Sequence, residues 1–463
     1  MADNKDIKEP VTSWITDHNG VIKIAIKMEG GTNTTLMYRE NENIKFKSII
    51  TTNFKESLVP LFFDFDNGNI IYASSNLGRD KSSIVKFDLD TGVEIGNVLY
   101  SHDEVDVSRL GYSKKRKVLT SIGFTTDKRE YVFLDDHIEK MFLDIKKLVG
   151  DSELVVTSHD KDEIIFVVRT YSDRSLGSYY LYSMDSGQLT KITDVSPWLD
   201  ESDMCAQTPI KYISRDGLVI NGYLTLPNTD KKSMLPVIVN PHGGPWHRDV
   251  WGYNNEVQLL ANRGFVVFQM NFRGSTGYGR KFWESSFKQW GLNMQNDIID
   301  GVNWLIEEGI ADPDRIAIYG GSYGGYATLA GITYTPEIFR AAVDYVGVSN
   351  LFTFLNTIPP YWKPFLEMMY EMVGHPERDA EYLTGSSPVM SIDKIKTPLF
   401  VVQGANDPRV NINESDQIVR TLREAGRKVF YMVKYDEGHG FAKEANRIEL
   451  YKAMIGFFAM NLK

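Results

Sequence analysis

Gly320-Gly321-Ser322-Tyr323-Gly324 stands between a run that reads as a buried strand, residues 315–319, and a run that reads as a helix, residues 326–330. A chain that passes from strand to helix through a serine needs a sharp, strained turn, and a glycine on each side leaves room for it. Such a turn lifts the hydroxyl above the sheet and aims the positive end of the next helix at it. The surrounding sequence has the matching grammar. Apolar runs at 236–239, 265–270, 398–403 and 429–433 alternate with amphipathic helical patterns at 296–308 and 414–425, and a final helix spans 445–460. Strands apolar on both faces and separated by helices predict a mostly parallel, doubly wound sheet.

A serine is a weak nucleophile without a base and an acid to orient that base. Asp407 follows the strand at 398–403, in the loop Gly404-Ala405-Asn406-Asp407-Pro408-Arg409. His439 follows the last strand and has Gly438 and Gly440 beside it. The order Ser322, Asp407, His439 is that of an α/β-hydrolase, with each residue in a loop at a strand's C-terminal end. Asp436 and Glu437 are rival acids that precede the histidine too closely for that order. In this scheme His439 takes the Ser322 proton and Asp407 fixes its tautomer. The backbone N–H of Tyr323 is one expected oxyanion donor, and the second should come from an earlier loop. Residues 237–240 run into Pro241-His242-Gly243-Gly244-Pro245-Trp246, a strand followed by an HGG pattern. Here His242 reads as a loop-shaping residue rather than a base or metal ligand.

The first 195 residues have a different grammar. Short β-rich runs at 20–26, 69–72 and 163–166 are bounded by Asn, Asp or Gly, and only 138–148 looks helical. Turn signals at positions 41, 90, 136 and 185 fall 49, 46 and 49 residues apart. That period suits a β-propeller blade, and the stretch supplies about four. A β-sandwich with accidental spacing is the alternative, and a small propeller is not distinguished from one with fewer blades than its kin. A break near 195–201 divides the chain into an all-β, propeller-like domain, 1–200, and a hydrolase domain, 201–463.

Composition narrows the partners. A formal net charge of −10 and no Lys/Arg block argue against nucleic acid. The single cysteine, Cys205, excludes an intramolecular disulfide and reads as a packing residue. No run of about 18 apolar residues predicts a membrane span, and the polar N-terminus lacks a signal-peptide pattern, so a cytoplasmic protein is expected. Residues 271–279 are glycine-rich without the ending of a P-loop, and no Cys/His cluster suggests zinc, so no cofactor and no metal are expected.

Together the segments 242–246, 271–279, 309–313, 320–326, 404–410 and 437–441 resemble the prolyl oligopeptidase family, in its acylaminoacyl-peptidase and dipeptidyl-aminopeptidase-like branch. Its members are serine peptidases in which a propeller covers the site and restricts entry to short peptides. The resemblance implies that Ser322, Asp407 and His439 form the triad and that Tyr323 and Gly244 supply oxyanion donors. It also implies that Arg409 binds a substrate carbonyl, the alternative being a surface arginine paired with a carboxylate. Val410, Trp246 and the segment 352–365, with Phe354, Trp362 and Phe365, form either an apolar specificity pocket or part of the core. Two departures stand out: the β half is short for the family, and it shows no clear acidic pair to clamp a peptide N-terminus. The expected activity is hydrolysis of short or N-acylated peptides through an acyl-enzyme. A carboxylesterase and a non-catalytic β-propeller scaffold are the alternatives. A homo-oligomer is allowed but not specified.

Overall fold

The computed structural model describes residues 10–462. Its first part is a succession of antiparallel sheets in chain order. The first pairs Val11–Thr16, Ile22–Glu29, Asn33–Tyr38 and Lys47–Asn53, and the second pairs Leu58–Phe63, Ile70–Ser75, Ser83–Asp88 and Val93–Tyr100. The third has three strands, Val107–Ser113, Val118–Thr125 and Arg129–Phe133. The fourth again has four, Glu153–His159, Ile165–Tyr171, Ser178–Ser183 and Leu189–Asp194. These are the propeller-like units that the periodicity predicts.

The turns at 41, 90 and 185 join third strand to fourth in their sheets, closed by bonds such as Gly92 N–H to Asp88 O (2.9 Å) and Gly187 N–H to Ser183 O (2.8 Å). The signal at 136 occupies the same place but opens a helix, Asp136–Val149, where a fourth strand would lie. Its cause is local. Asp135 accepts the Ile138 N–H at 3.1 Å as an N-cap, and Ile138, Met141 and Ile145 fall on one buried face. That face joins Leu154, Phe166, Val168 and Tyr182 of the fourth sheet in a separate small core.

The second part is an eight-stranded sheet. Its strands are β1 (Gln207–Ile213), β2 (Val219–Thr225), β3 (Leu235–Val239), β4 (Val266–Asn271), β5 (Ala311–Gly321), β6 (Ala341–Tyr345), β7 (Leu399–Gly404) and β8 (Val429–Lys434). The spatial order is β1-β2-β4-β3-β5-β6-β7-β8, with β1 and β2 antiparallel at one edge and all pairs from β4 onward parallel. This is the mixed, mostly parallel sheet of an α/β-hydrolase. Alternate residues serve opposite cores: Ile316 and Ile318 of β5 face one, Ala317 and Tyr319 the other, and Leu399/Val401 and Phe400/Val402 of β7 divide likewise. Cys205 is buried in the second of these cores. Among the described residues no helix is long and apolar enough to cross a membrane.

The β region is seated on this sheet by packing and by hydrogen bonds. Ile84, Val107, Ile122 and Phe124 belong to the same core as Phe268 and Phe272. Asp106 N–H donates to Gly277 O at 2.9 Å, Gln207 N–H to Asp173 Oδ2 at 2.7 Å, and Arg248 donates to the carbonyls of Thr125 and Thr126 at 3.1 and 2.7 Å.

Candidate active site

The serine turn has the strain its sequence demands. Ser322 adopts φ 59° and ψ −118°, a region that costs a residue with a β-carbon on the order of 1–3 kcal/mol. Its amide is pinned to Tyr345 O at 2.9 Å, at the C-terminal end of β6. Neither flanking glycine could carry a side chain. A β-carbon on Gly320 would lie 2.6 Å from the Gly324 backbone, and one on Gly324 would lie 2.2 Å from Pro241 O. Gly325 is as constrained, 2.4 Å from Asp344 Oδ1, so the helix Tyr323–Tyr334 is drawn onto β6 by glycines.

Asp407 and His439 are joined. Asp407 Oδ2 lies 2.7 Å from His439 Nδ1, while its Oδ1 accepts the N–H groups of Arg409 and Val410 at 2.8 and 2.9 Å. The carboxylate is therefore held by its own loop and presents one oxygen to the imidazole. The histidine loop is closed on itself by pairing of Gly438 with Gly440, and Gly404 has no room for a β-carbon because Gly438 O would lie 2.2 Å away. The rival acids have other work. Glu437 accepts Ala442 and Lys443 N–H at 2.8 and 2.9 Å and Asn446 Nδ2–H at 2.7 Å, and Asp436 pairs with Lys443 at 2.6 Å. Both fasten the start of the last helix, Glu444–Asn461. Among the described residues Ser322 Oγ makes no hydrogen bond to the imidazole, a link that often tightens only when substrate binds.

The HGG loop runs against the serine. A β-carbon on Gly243 would lie 3.4 Å from Ser322 Cβ and 3.1 Å from Gly321 O. His242 is buried, stacked on Phe272 with centroids 4.3 Å apart. Its Nδ1 is 2.8 Å from Gly243 O and its Nε2 2.9 Å from Ser275 Oγ. Burial pushes its pKa down to about 4, so the ring is neutral and shapes the loop. Tyr323 opens its helix, and the first N–H groups of a helix have no intrahelical acceptor. Behind the turn lies Asp344, fully buried, its carboxyl oxygens without a well-formed hydrogen bond among the described residues; burial pushes its pKa up to about 7 against the weaker pull of the Gly347 N–H.

A cavity of about 330 Å³ opens beside Ser322. Gly244, Tyr323, Arg409, Val410, Trp246 and Trp362 all line it, as do Phe354 and Phe365. The arrangement brings Ser322 and the expected oxyanion and substrate-binding residues to one place, while the Asp407–His439 pair stands beside the cavity rather than among its lining residues. Arg409 has no carboxylate within 4 Å among the described residues. Trp246 is held by its Nε1–H on Ser286 Oγ at 3.2 Å. Sequence reasoning missed Trp290, Val348, Met368 and Met369 in the wall. Trp290 packs edge-on against Tyr323 at 4.6 Å, yet nothing in its local sequence marks it. Gly325 could have been found, since it extends the glycine pattern by one residue. Among the described residues no three His, Cys, Asp or Glu side chains are grouped as a metal site.

The model of the prolyl oligopeptidase family matches residues 251–463. Dipeptidyl aminopeptidase BIII of Pseudoxanthomonas mexicana is 36% identical over 432 residues, 91% of this chain and 61% of that protein. The acylamino-acid-releasing enzyme of Arabidopsis thaliana is 32% identical over 255 residues, 54% of this chain and 32% of that protein. A puromycin-hydrolyzing peptidase of Mycobacterium tuberculosis superposes with a TM-score of 0.81 at 21% identity, covering 98% of this chain and 70% of its own, a likeness of fold. The chain thus spans less than two thirds of the length of the curated relatives it matches.

Proposed function

By its residues 251–463 the chain belongs to the prolyl oligopeptidase family, and on that basis we propose that it is a serine peptidase cleaving short peptides, N-acylated ones included. His439 takes the proton of Ser322 as Oγ attacks the scissile carbonyl, and Asp407 stabilises the imidazolium through Nδ1. The N–H groups of Tyr323 and Gly244 receive the developing oxyanion. The imidazolium then protonates the leaving amine, and water releases the acyl group by the same steps in reverse order of roles. The wall of Trp246, Trp290, Phe354, Trp362 and Met369 favours an apolar side chain at the residue that acylates the serine.

The observation that carries the reading is Arg409 in the cavity beside Ser322 with no carboxylate within 4 Å among the described residues. Ester cleavage needs no group reading a neighbouring peptide carbonyl, so this arginine favours a peptidase over a carboxylesterase, and an intact triad argues against a scaffold. The test is a panel of acetyl-aminoacyl, dipeptidyl and short-chain ester substrates on wild type and Arg409→Ala. A charged hydrogen bond is worth roughly 1.5–3 kcal/mol, so peptide kcat/KM should fall about ten- to a hundredfold while a small ester loses far less. An equal loss on both, or ester cleavage alone in the wild type, would overturn the reading. The ratio of acetyl-aminoacyl to dipeptidyl cleavage then assigns the branch.

A further inference from the structure

A second cleft lies outside this mechanism. It has a volume of about 560 Å³ and forms where the third and fourth sheets of the β region face the segment after Gly244. Arg129, Arg169, Tyr171, Tyr179 and Trp251 line it. The Arg129 side chain makes no hydrogen bond and has no carboxylate within 4 Å among the described residues. Arg169 donates from Nε and Nη2 only to Leu176 O, at 3.4 and 3.0 Å, and lies 5.9 Å from the centre of the Tyr179 ring. Arg109 stands near enough to Arg129 that burial and this like charge lower its guanidinium pKa. Glu153, across the strand from Tyr171, forms no ion pair with any of these arginines.

Among the described residues the one acid in the wall is Asp249. Its Oδ2 is buried without a hydrogen-bond partner, and burial pushes its pKa up to about 7, so it brings at most a partial negative charge near neutrality. Its neighbour Arg248 spends its donors on Thr125 O, Thr126 O and the Tyr278 hydroxyl. Half-buried guanidinium groups gathered without a counter-charge are costly until an anion arrives, and their planar forks match a carboxylate.

The cleft adjoins the cavity at Ser322. Gly244 lines the first space and His247 the second, and a β-carbon on Gly244 would lie 3.1 Å from His247 Cβ. The two spaces therefore have neighbouring walls, and an extended peptide, advancing roughly 3.3–3.6 Å per residue, is the ligand whose reach suits them.

We propose that this cleft is a carboxylate subsite, in which Arg129 and Arg169 bind the anionic group of a short peptide whose scissile carbonyl lies at Ser322. The placing of the scissile bond rests on the peptidase reading, whereas the anion chemistry of the cleft does not. The carboxylate is either the peptide's C-terminus or an Asp or Glu side chain.

The test is calorimetric binding to Ser322→Ala of three matched tetrapeptides: one with a free C-terminus, one C-terminally amidated, and one amidated with a glutamate. The free-acid or glutamate peptide should bind roughly ten- to a hundredfold more tightly than the neutral one, and whichever gains names the source of the carboxylate. Adding Arg129→Gln and Arg169→Gln should erase the preference. If that variant fails to fold, the lysine pair, which keeps charge but not the fork, should weaken it. Equal binding of charged and neutral peptides, or a preference that survives both substitutions, overturns the proposal. Because the readout is binding to a chain without its nucleophile, a wild type that cleaves no peptide would refute the peptidase reading and leave this result standing.

Discussion

The loops around Ser322 and the hairpins of the β region use glycine in different ways. In the hydrolase sheet, glycines stand where backbone meets backbone: Gly324 against Pro241 O, Gly404 against Gly438 O, and Gly325 against Gly347 and Asp344. Each contact ties one functional loop to another. In the β region, Gly20, Gly30, Gly78, Gly150 and Gly187 sit at positive φ, and a β-carbon at any of them would meet nothing within 4 Å. At these turns glycine only lets the chain turn, whereas Gly177, whose β-carbon would lie 1.7 Å from Thr170 O, is fixed by close approach as the active-site glycines are. The loops around Ser322 are thus interlocked, and several hairpins of the β region are open turns. Exposure agrees with this: Val59, Val93, Val98 and Leu99 in the second sheet are exposed, whereas the apolar residues of β5 and β7 are buried on both faces.

The largest effect should come from the interlocked side. Asp407→Asn leaves the shape of the carboxyl but reverses a hydrogen bond to His439, and should lower kcat roughly ten-thousandfold with little change in melting temperature. A loss below tenfold would mean that another acid orients the imidazole.

Next is the buried carboxyl behind the serine turn. Asp344 is raised from 3.8 to about 7, so between those values the folded chain keeps a proton that the unfolded chain has lost. Stability should therefore fall as pH rises from about 4 to about 7 and then level off, by on the order of 4 kcal/mol from this group. Denaturant melts of Asp344→Asn should show a shallower fall across that window, with Asp249 supplying part of what remains. An unchanged slope would show that Asp344 is ionised in the fold.

Two glycine substitutions sharpen the contrast directly. Gly324→Ala forces the serine turn away from the Pro241 loop and should cost about 3 kcal/mol or more, together with most of the activity. Gly187→Ala, at φ 65° in the last hairpin of the fourth sheet, should cost about 1 kcal/mol of backbone strain and leave kcat unchanged. Equal losses in the two variants would erase the distinction between the regions.

What the sequence revealed follows the same division. The candidate triad was legible because each member follows its own strand and its loop composition is forced by close approach, as Gly320, Gly324 and Gly404 record. The strands β1, β2 and β6 were not named from the sequence: Val219–Thr225 has a glycine at its centre, and Ala341–Tyr345 is short and carries a buried Asp344. The repeat in the β region was legible from turn chemistry alone, which could not tell a hairpin from the cap of the helix Asp136–Val149, since aspartate serves both. The cavity wall was half legible. Trp246 and Val410 lie beside motif residues, while Trp290, Met368 and Met369 arrive from segments whose apolar residues read as ordinary core.

Everything proposed for the catalytic half depends on Ser322 being an activated nucleophile in this chain. The most direct test is reaction with a fluorophosphonate, followed by mass spectrometry of the intact protein and its peptides. The expected result is one adduct per chain on Ser322, abolished in Ser322→Ala and strongly slowed in Asp407→Asn. A folded wild type that takes up no label, or takes it up on another residue, would contradict that activation.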